Sequence, residues 1–283
     1  MEKTLKVAGL AGLGLAAGAV GLVLRGRADR RNIERLWNRL LTASEDDLQR
    51  FDEQMTAGLP APAQRYFRHA LAPGTPLAHA VTLEMEGVIR LKPDGPWMEM
   101  NARQVLAPPR GFVWEVTIQQ GLLHFSGADY YAHDDGGQRF YLWGVVPFVQ
   151  GSGPDVTRSA RERLAVESIL NPASLLPQRG VVWEALGDRT ARATLPIDGE
   201  EIPLTLTVGD DGDLQSVVMD RWGDPKGDGH FERRPFGAGI IEEQVFGGYT
   251  IPTRLHAGWW FGMASYFDFF RPVIRRARFH GGK

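Results

Sequence analysis

The stretch VTLEMEGVIRL, residues 81–91, carries the pattern that runs through most of the chain. Apolar and polar residues alternate along it, and successive side chains of an extended strand point to opposite faces. One face would carry Val81, Leu83, Met85, Gly87, Ile89 and Leu91. The pattern therefore predicts a half-buried β-strand, with Thr82, Glu84 and Glu86 on its wet face.

The same period of two recurs on both sides of a single helical interruption. It begins again at Met98 and at Phe112. The second half of the chain shows strand patterns near residues 181–185, 190–196, 202–208, 213–221, 240–247, 250–260 and 264–278. Residues 157–170 instead have a helical pattern, which ends at Asn171-Pro172.

Many strands with turns between them and no alternating helices indicate a meandering antiparallel sheet. A sheet of this length cannot remain flat. We therefore predict a mainly β fold, a curved antiparallel sheet or unclosed barrel with one inserted helix, preceded by a transmembrane helix and short amphipathic helices. The segment VVPFVQGSGPD, residues 145–155, is expected to be a loop whose exposed apolar side chains need a partner surface.

Composition and charge exclude several classes of protein. The 283 residues include no cysteine, and 34 acidic and 32 basic residues leave a net charge of −2. The lack of cysteine excludes a disulfide scaffold, an iron–sulfur cluster and a thiolate zinc site. The near-neutral charge argues against a nucleic-acid-binding protein, which would be strongly basic.

Residues 5–24, LKVAGLAGLGLAAGAVGLVL, form an apolar run with one charge. A helix of about 20 residues crosses the ~30 Å hydrocarbon core of a bilayer, so residues 1–24 are predicted to be an uncleaved membrane anchor. A cleaved signal peptide, with Ala17-Gly18-Ala19 as its cleavage site, is the alternative. The arginines after the run favour the cytoplasmic face for the rest of the chain. The lack of cysteine fits the periplasm equally well, so the side of the membrane stays open.

A helical juxtamembrane stalk is predicted over residues 25–75, followed by the β domain over residues 76–283 with its insertion at 157–170. An apolar stripe at helical spacing begins the stalk and contains Ile33, Leu36, Trp37, Leu40 and Leu41. Arg30, Arg31 and Trp37 suit a helix that lies on anionic membrane lipid. The alternative is that the stripe packs on the body of the protein itself.

Residues 59–67 read LPAPAQRYF, a Leu-Pro-x-Pro-x-x-Arg-Tyr-Phe element. With Gly111-Phe112-Val113-Trp114, the segment 171–177 followed by Val182-Trp183-Glu184, and the hairpin at 248–252, it resembles a bacterial family of uncharacterised, often membrane-anchored proteins. The resemblance covers most of residues 59–270 and implies no established activity. The predicted sheet also resembles the unclosed barrels of periplasmic lipoprotein-carrier proteins, an analogy of shape that proves no function.

No residue pattern indicates catalysis or a bound metal. The seven histidines are scattered without metal-binding spacing, and no cofactor is expected. Ser126 and Ser152 lack the tight strand-to-helix turn of a serine nucleophile. An enzyme could still assemble its site from distant strands, and that alternative stays open.

Aromatic residues crowd into residues 246–270, and alternation sends about half of them to each face of the sheet. The favoured hypothesis is a non-enzymatic, membrane-anchored protein that binds a lipid or another apolar ligand in the cavity of its curved sheet. Trp114, Trp143, Trp259 and Phe261 are the predicted lining, and the helix at 157–170 is the predicted lid. The main alternative is a structural or assembly partner of a membrane protein complex.

Overall fold

The computed structural model describes residues 2–42 and 49–281, with side chains from Gly21 onward. Its helices are α1 (Glu2–Thr42), α2 (Ala61–Ala70) and α3 (Pro154–Glu167), and short 3-10 turns lie at Glu53–Thr56, Ser168–Leu170, Pro172–Leu175 and Pro177–Arg179. Its strands are β1 (Ala80–Ile89), β2 (Met98–Ala107), β3 (Gly111–Gln120), β4 (Leu123–Ala132), β5 (Asp135–Leu142), β6 (Val146–Gly151), β7 (Val182–Ala185), β8 (Thr190–Ile197), β9 (Glu200–Val208), β10 (Leu214–Gly223), β11 (Glu232–Phe246), β12 (Tyr249–Trp259) and β13 (Phe267–His280).

All of these strands belong to one antiparallel sheet, in the order β6-β5-β4-β3-β2-β1-β13-β12-β11-β10-β9-β8-β7. Strands that pair in the sheet are consecutive in the chain, except that β1 pairs with β13 and so joins the two halves. Strands β6 and β7 are the two edges of the sheet. The prediction of a mainly β fold with one large unclosed antiparallel sheet is confirmed.

One face of the sheet is buried against α3 and the turns that follow it, and we call this the concave face. Val81 and Leu83 of β1 are buried on this face. Glu84, on the opposite outer face, pairs with Arg276 of β13 at 3.3 Å. The alternation of apolar and polar residues therefore predicted the two faces of β1 correctly.

A glycine allows the two halves of the sheet to meet closely. Gly87 of β1 lies opposite Pro272 of β13. A Cβ atom at residue 87 would lie 2.2 Å from the carbonyl oxygen of Arg271. Any other residue would push the two strands apart, so glycine is required at this position.

The segment predicted as a loop at 145–155 contains an edge strand. Val146 lies opposite Leu142 of β5, and the pairing continues to Gly151. Pro147 is accommodated because an edge strand has one side without hydrogen-bond partners. Proline and glycine in this segment favour a loop, but the apolar residues between them add one more strand to the sheet.

Helix α3 begins and ends three residues earlier than the predicted 157–170. Pro154 occupies its first turn, where a missing N–H has no cost, and Ser168–Leu170 form a 3-10 turn instead of helix. The helix contacts β3, β4 and β5 on one side and β8, β9 and β10 on the other. The sheet therefore curves around α3.

Helix α2 closes one end of the concave face with aromatic side chains. Phe67 is completely buried, and its ring packs edge-on against Trp183 of β7 with 5.5 Å between centroids. The ring of Tyr66 lies 5.3 Å from that of Phe67. The Tyr-Phe pair at the end of the Leu-Pro element is thus part of the core.

Helix α1 packs on the outer face of the sheet. Ile33, Leu36 and Leu40 are buried there in an apolar cluster that also contains Val105 and Val113. This cluster is separate from the core on the concave face. The apolar stripe of the predicted stalk therefore packs on the body of the protein, which was the alternative to packing on membrane lipid.

The predicted membrane anchor falls mainly on residues 1–20, whose side chains lie outside the described ones. The anchor and the domain boundaries at residues 24 and 75 stay predictions. Among the helices of the described residues, none combines the length and the apolarity needed to cross a membrane. Residues 43–48 of the predicted stalk also lie outside the described part of the chain.

Candidate functional site

The concave face around α3 is lined by apolar side chains that include several methionines. Met85, Met98, Met100, Val116, Ile118 and Met219 are all buried in the same cluster. Methionine is unbranched and polarisable, so it packs against partners of different shape. This surface therefore suits an apolar partner.

Helix α3 covers the concave face through apolar contacts at its C-terminal end and through polar contacts nearer its start. Residues 154–161, which we call its N-terminal half, have no buried side chain, whereas Glu162, Leu164, Ala165 and Val166 are buried. A helix fixed on a core normally carries an apolar stripe along its length. The N-terminal half of α3 lacks that stripe.

Glu162 is the centre of the polar contacts made by α3. It is 4% exposed, and its carboxylate accepts hydrogen bonds from the backbone N–H of Trp222 at 2.5 Å and from Arg233 at 2.9 Å. Asp155 accepts a hydrogen bond from the indole N–H of Trp222 at 3.0 Å. These bonds connect α3 to β10 and β11.

Arg163 connects α3 to the other half of the sheet. It donates to Asp129 of β4 at 2.8 Å and to Glu167 at 2.7 Å, and its guanidinium lies 4.9 Å from the ring centroid of Trp114. Burial lowers the pKa of Arg163, but the carboxylates of Glu167 and Asp129 outweigh this effect and raise the pKa overall. Burial raises the pKa of Asp129. An arginine held by two carboxylates stays charged inside the protein.

A second guanidinium, that of Arg221 on β10, is buried near the first. It lies over the rings of Phe236 and Trp259, 4.6 and 5.3 Å from their centroids. Within the described residues, the Nε atom of Arg221, the Nε1 atom of Trp114 and the Oδ1 atom of Asp129 are buried without a hydrogen-bond partner. Buried polar atoms are normally paired, so each of these three atoms can form one further hydrogen bond.

The structure separates the four residues predicted to line the ligand cavity. Trp114 and Trp259 lie on the concave face, next to Arg163 and Arg221 respectively. Their role in a lining stays a prediction.

Trp143 and Phe261 do not share that face, which corrects the expected lining. Trp143 is 59% exposed in the turn between β5 and β6, where its φ is 50°. Phe261 lies beyond the end of β12 and packs on Gly237 of β11, from the outer face. Alternation assigns faces within a strand, but it does not extend past the strand end, where the chain turns.

Sequence reasoning missed the charged residues of the concave face. Asp129 lies two residues from the buried Tyr131, and Arg221 two residues from the buried Met219, so both charges occupy inward positions. Charged side chains are rarely buried unless they are paired. A charge at an inward position of an alternating strand is the signal that could have identified them.

A separate cavity of about 1030 Å³ lies on the outer face, between α1 and strands β1–β5. Trp143 is one of its lining residues, together with many charged side chains such as Arg139. Arg103 and Glu115, which also line it, form an ion pair at 2.5 Å. The charged side chains in this lining make it less suited to an apolar ligand than the concave face is.

Exposed apolar side chains gather at the tips of β4, β5 and β6. They are Leu122, Leu123, Trp143, Val145, Val146, Phe148 and Val149, and we call them the tip patch. The Trp143 indole donates to the carbonyl oxygen of Leu122 at 3.2 Å, and the rings of Phe125 and Phe148 lie 4.8 Å apart. The three tips therefore form one surface, of the kind that marks an interaction site.

Helix α1 leaves the sheet beside the tip patch. Arg30 donates to the carbonyl oxygen of Gly144 at 2.8 Å, and Tyr141 donates to Asp29. From this contact the helix continues to its first residue, and residues 21–25 are exposed. The N-terminal segment of the chain is thus attached next to the tip patch.

The other two residues predicted for a membrane surface have different surroundings. Arg31 is exposed. Trp37 is half-buried, and its ring lies beneath the guanidinium of Arg103 at 4.8 Å. A role of Arg30, Arg31 and Trp37 at a membrane stays a prediction.

Four histidines, His69, His79, His256 and His280, have hydrogen-bond partners among the described residues. The Nε2 atom of His69 lies 2.8 Å from Glu243, and this hydrogen bond raises the pKa of His69. The Nδ1 atom of His256 lies 3.0 Å from the hydroxyl of Tyr266. Within the part of the chain that the structure describes, no three histidine or acidic residues lie together as metal ligands.

The chain belongs to DUF6544, a family of unknown function whose model matches residues 49–269. It is similar in structure to a LolA superfamily protein from Nitrosomonas europaea, at 10% identity, 78% coverage of this chain, 94% coverage of that chain and a TM-score of 0.42. It is also similar to a DUF1329 family protein from Desulfovibrio piger, at 10% identity, 73% and 88% coverage and a TM-score of 0.41. Likenesses this distant carry no argument about function. No curated protein matches the chain.

Proposed function

We propose that this member of DUF6544 binds a lipid or another apolar ligand on the concave face of its sheet, with α3 as a lid. The observation that supports this is the contrast between an apolar face and the polar contacts by which the N-terminal half of α3 covers it. The hydrogen bonds and partly exposed ion pair made by residues 154–161 contribute little net stability, because water replaces them when they break. The lid can therefore lift at low cost if the ligand then covers the apolar face.

The connections of α3 agree with a lid that lifts at one end. Gly151-Ser152-Gly153 links β6 to the helix, and Gly153 has a φ of 105°, which glycine adopts readily. At the other end, Leu164, Ile169 and Leu175 are buried in the core. We therefore expect residues 154–161 to move while the C-terminal end of α3 stays in place.

A disulfide between the lid and the sheet tests the proposed opening. The chain has no cysteine, and a Cβ atom on Gly136 of β5 would lie 3.0 Å from the Cβ atom of Ala160 and 2.8 Å from the Cα atom of Thr157, both on α3, so the helix must move outward to accept a side chain there. The separation of the two Cβ atoms is somewhat shorter than the ~3.8 Å that is typical of disulfides, so a small shift of the helix closes the bond. We expect the delipidated G136C/A160C chain to take up a fluorescent fatty acid only after reduction.

The matched control is the double variant Gly136→Ser with Ala160→Ser, which has side chains of similar size and forms no bond. Its uptake should not depend on the reductant. Equal uptake by the oxidised and reduced cysteine variant would show that α3 does not control access.

Native mass spectrometry of the full chain, purified in an uncharged detergent, tests the ligand itself. We expect an additional lipid-sized mass that disappears after extraction with organic solvent. A chain that carries no such mass and takes up no fluorescent fatty acid in either state of the lid would contradict the proposed function.

We also propose that the tip patch lies against a membrane, beside the N-terminal segment of α1. The patch carries Trp143 and Phe148, which are 59% and 55% exposed, and α1 adds Arg25 and Arg27 close to the point where it leaves the sheet. Aromatic and basic side chains together suit the headgroup region of anionic lipid. A protein of a membrane complex is the competing occupant of this patch.

Spin labels distinguish the membrane from water in the full chain reconstituted into liposomes that contain anionic lipid. We expect a nitroxide at Phe148→Cys to be accessible to oxygen and shielded from a water-soluble nickel reagent. The control is Val182→Cys, at a position of β7 that is 60% exposed and outside the patch. Equal nickel accessibility at both positions would contradict membrane contact.

A further inference from the structure

Arg221 is a buried cation whose hydrogen-bonding capacity the protein leaves partly unused. It is 9% exposed and lies at an inward position of β10. One of its terminal nitrogens donates to Ser159 of α3, to the carbonyl oxygen at 3.2 Å and the hydroxyl at 3.4 Å. Its Nε atom is buried and has no partner among the described residues.

Arg221 differs from two other arginines near α3, which form ion pairs with carboxylates. Arg163 pairs with Asp129 and Glu167, and Arg233 pairs with Glu162. Within the described residues, no carboxylate forms an ion pair with Arg221. Burial, and then the nearby charge of Arg163, lower the pKa of Arg221 to about 10, and the carboxylates of Glu167, Glu162 and Asp129 offset this only in part. A buried charge without a partner is costly, and an anion would offset that cost.

The surroundings hold the Arg221 guanidinium at the border between the polar cluster and the apolar face. Its plane is supported by the rings of Phe236 and Trp259, at 4.6 and 5.3 Å. The ring of Trp259 packs edge-on against Phe236 at 5.0 Å, and Met219 is the next inward residue of β10. An anion bound at Arg221 would thus have apolar side chains directly beside it.

We propose that Arg221 binds the anionic headgroup of the ligand, a carboxylate or a phosphate on a long apolar chain. The proposal rests on the proposed function, and it narrows the ligand to an anionic amphiphile. When α3 lifts, Ser159 withdraws, and the terminal nitrogen and the Nε atom together present two donors to two oxygens of one anion. In the covered state, the carbonyl oxygen of Ser159 occupies part of this position.

Three ligands with the same oleoyl or oleyl tail test the headgroup site: oleate, oleoyl lysophosphatidic acid and oleyl alcohol. Their affinities are measured by displacement of a fluorescent fatty acid from the full chain in an uncharged detergent. We expect at least one of the two anions to bind about tenfold or more tightly than the alcohol, since hydrogen bonds to charged groups are the strong ones. The anion that binds more tightly than the alcohol shows whether the site prefers a carboxylate or a phosphate headgroup.

Substitutions at Arg221 assign the gain to this side chain. In Arg221→Met the anions should bind only as tightly as the alcohol, whose affinity stays unchanged. Arg221→Lys keeps the charge without the forked donors and should recover part of the preference. Arg192→Met is the matched control, since Arg192 pairs with Glu184 on strands β8 and β7 and is exposed. It should keep the full preference.

The outcomes separate the two proposals. Equal binding of all three ligands to the wild-type chain, or a preference that survives in Arg221→Met, overturns the headgroup site and leaves apolar binding intact. Binding of none of the three ligands overturns the proposed function as well. Circular dichroism of each variant shows whether it is folded. If Arg221→Met does not fold, the comparison is made with Arg221→Lys instead.

Discussion

Helices α2 and α3 cover the same concave face by different chemistry. On α2, the rings of Tyr66 and Phe67 are buried and pack against each other and against Trp183. On the N-terminal half of α3, the contacts are hydrogen bonds and ion pairs, such as that of Asp155 with Trp222. The apolar residues of the concave face must be covered by both α2 and α3. The side chains of each helix determine how firmly that helix is held on the sheet. The comparison indicates a fixed helix and a removable one within a single core.

The largest expected effect comes from removing an aromatic ring from the fixed helix. Phe67→Ala deletes a completely buried ring, and we expect the free energy of unfolding to fall by about 3–5 kcal/mol. Arg158→Ala, on α3, removes a half-buried side chain that lies over Trp222 and should cost less than about 1 kcal/mol. Urea denaturation measures both values. Similar losses would remove the distinction between the two helices.

The lid should loosen when its central carboxylate is weakened. In Glu162→Gln, the charged acceptor of the bonds from Trp222 and Arg233 becomes a neutral amide. We expect a loss of about 1–3 kcal/mol, with faster hydrogen exchange at the amides of α3 and unchanged exchange at those of α2. Glu53→Gln, which alters an exposed pair with Arg68 of α2, is the control and should leave the exchange of α3 unchanged. Exchange that changes equally in both helices would contradict a separate lid.

The contact of α2 with β11 should depend on pH near neutrality, unlike the arginine contacts of α3. The hydrogen bond to Glu243 raises the pKa of His69, so the pair contributes stability fully below the unfolded pKa of about 6.5. That contribution is lost as the pH rises through the higher folded pKa. We expect a decrease of less than about 1 kcal/mol between pH 6 and pH 9, measured by urea denaturation. His69→Gln should remove most of it, and an unchanged slope in this variant would contradict the assignment.

Salt should produce the smallest difference between the two helices. At 1 M salt the screening length is about 3 Å, so the partly exposed pair of Arg161 with Asp134, at 3.7 Å, loses part of its attraction. We expect exchange of the α3 amides at residues 157–161 to accelerate by about twofold, which corresponds to a few tenths of a kcal/mol. The apolar contacts of α2 are not weakened by screening. Faster exchange in α2 than in α3 would contradict the comparison.

The sheet could be predicted from the sequence because its strands alternate. Val81, Leu83 and Glu84 lie on the faces that their positions indicate, and the strand at 190–196 was placed within one residue of its observed end. The edge strand β6 was missed because Pro147 and the glycines after it resemble a loop. A local sequence pattern indicates which residues are extended. Whether an extended segment is an edge strand depends on its pairing with a neighbouring strand, here β5.

The candidate site could be predicted only in part, because it is assembled from distant segments. Trp114 and Trp259 were found as inward aromatics of their strands. Arg221 and Asp129 were not, since nothing local to β10 or β4 shows that α3 lies across both strands. Trp143 and Phe261 were placed in the lining by their type, although both lie in turns.

The pairing of β1 with β13 has a consequence for the order in which the chain folds. Every other pair of neighbouring strands in the sheet is consecutive in sequence. In the β1–β13 pair, by contrast, Ala80 pairs with His280 and Ile89 with Phe270. Contacts between residues so far apart close a very long loop and form slowly. Each half-sheet can form from local hairpins. The edge of β1 stays unpaired until β13 has been synthesised and has left the ribosome. Joining the halves at Gly87 is therefore the step of sheet formation that depends on the most distant part of the sequence, β13.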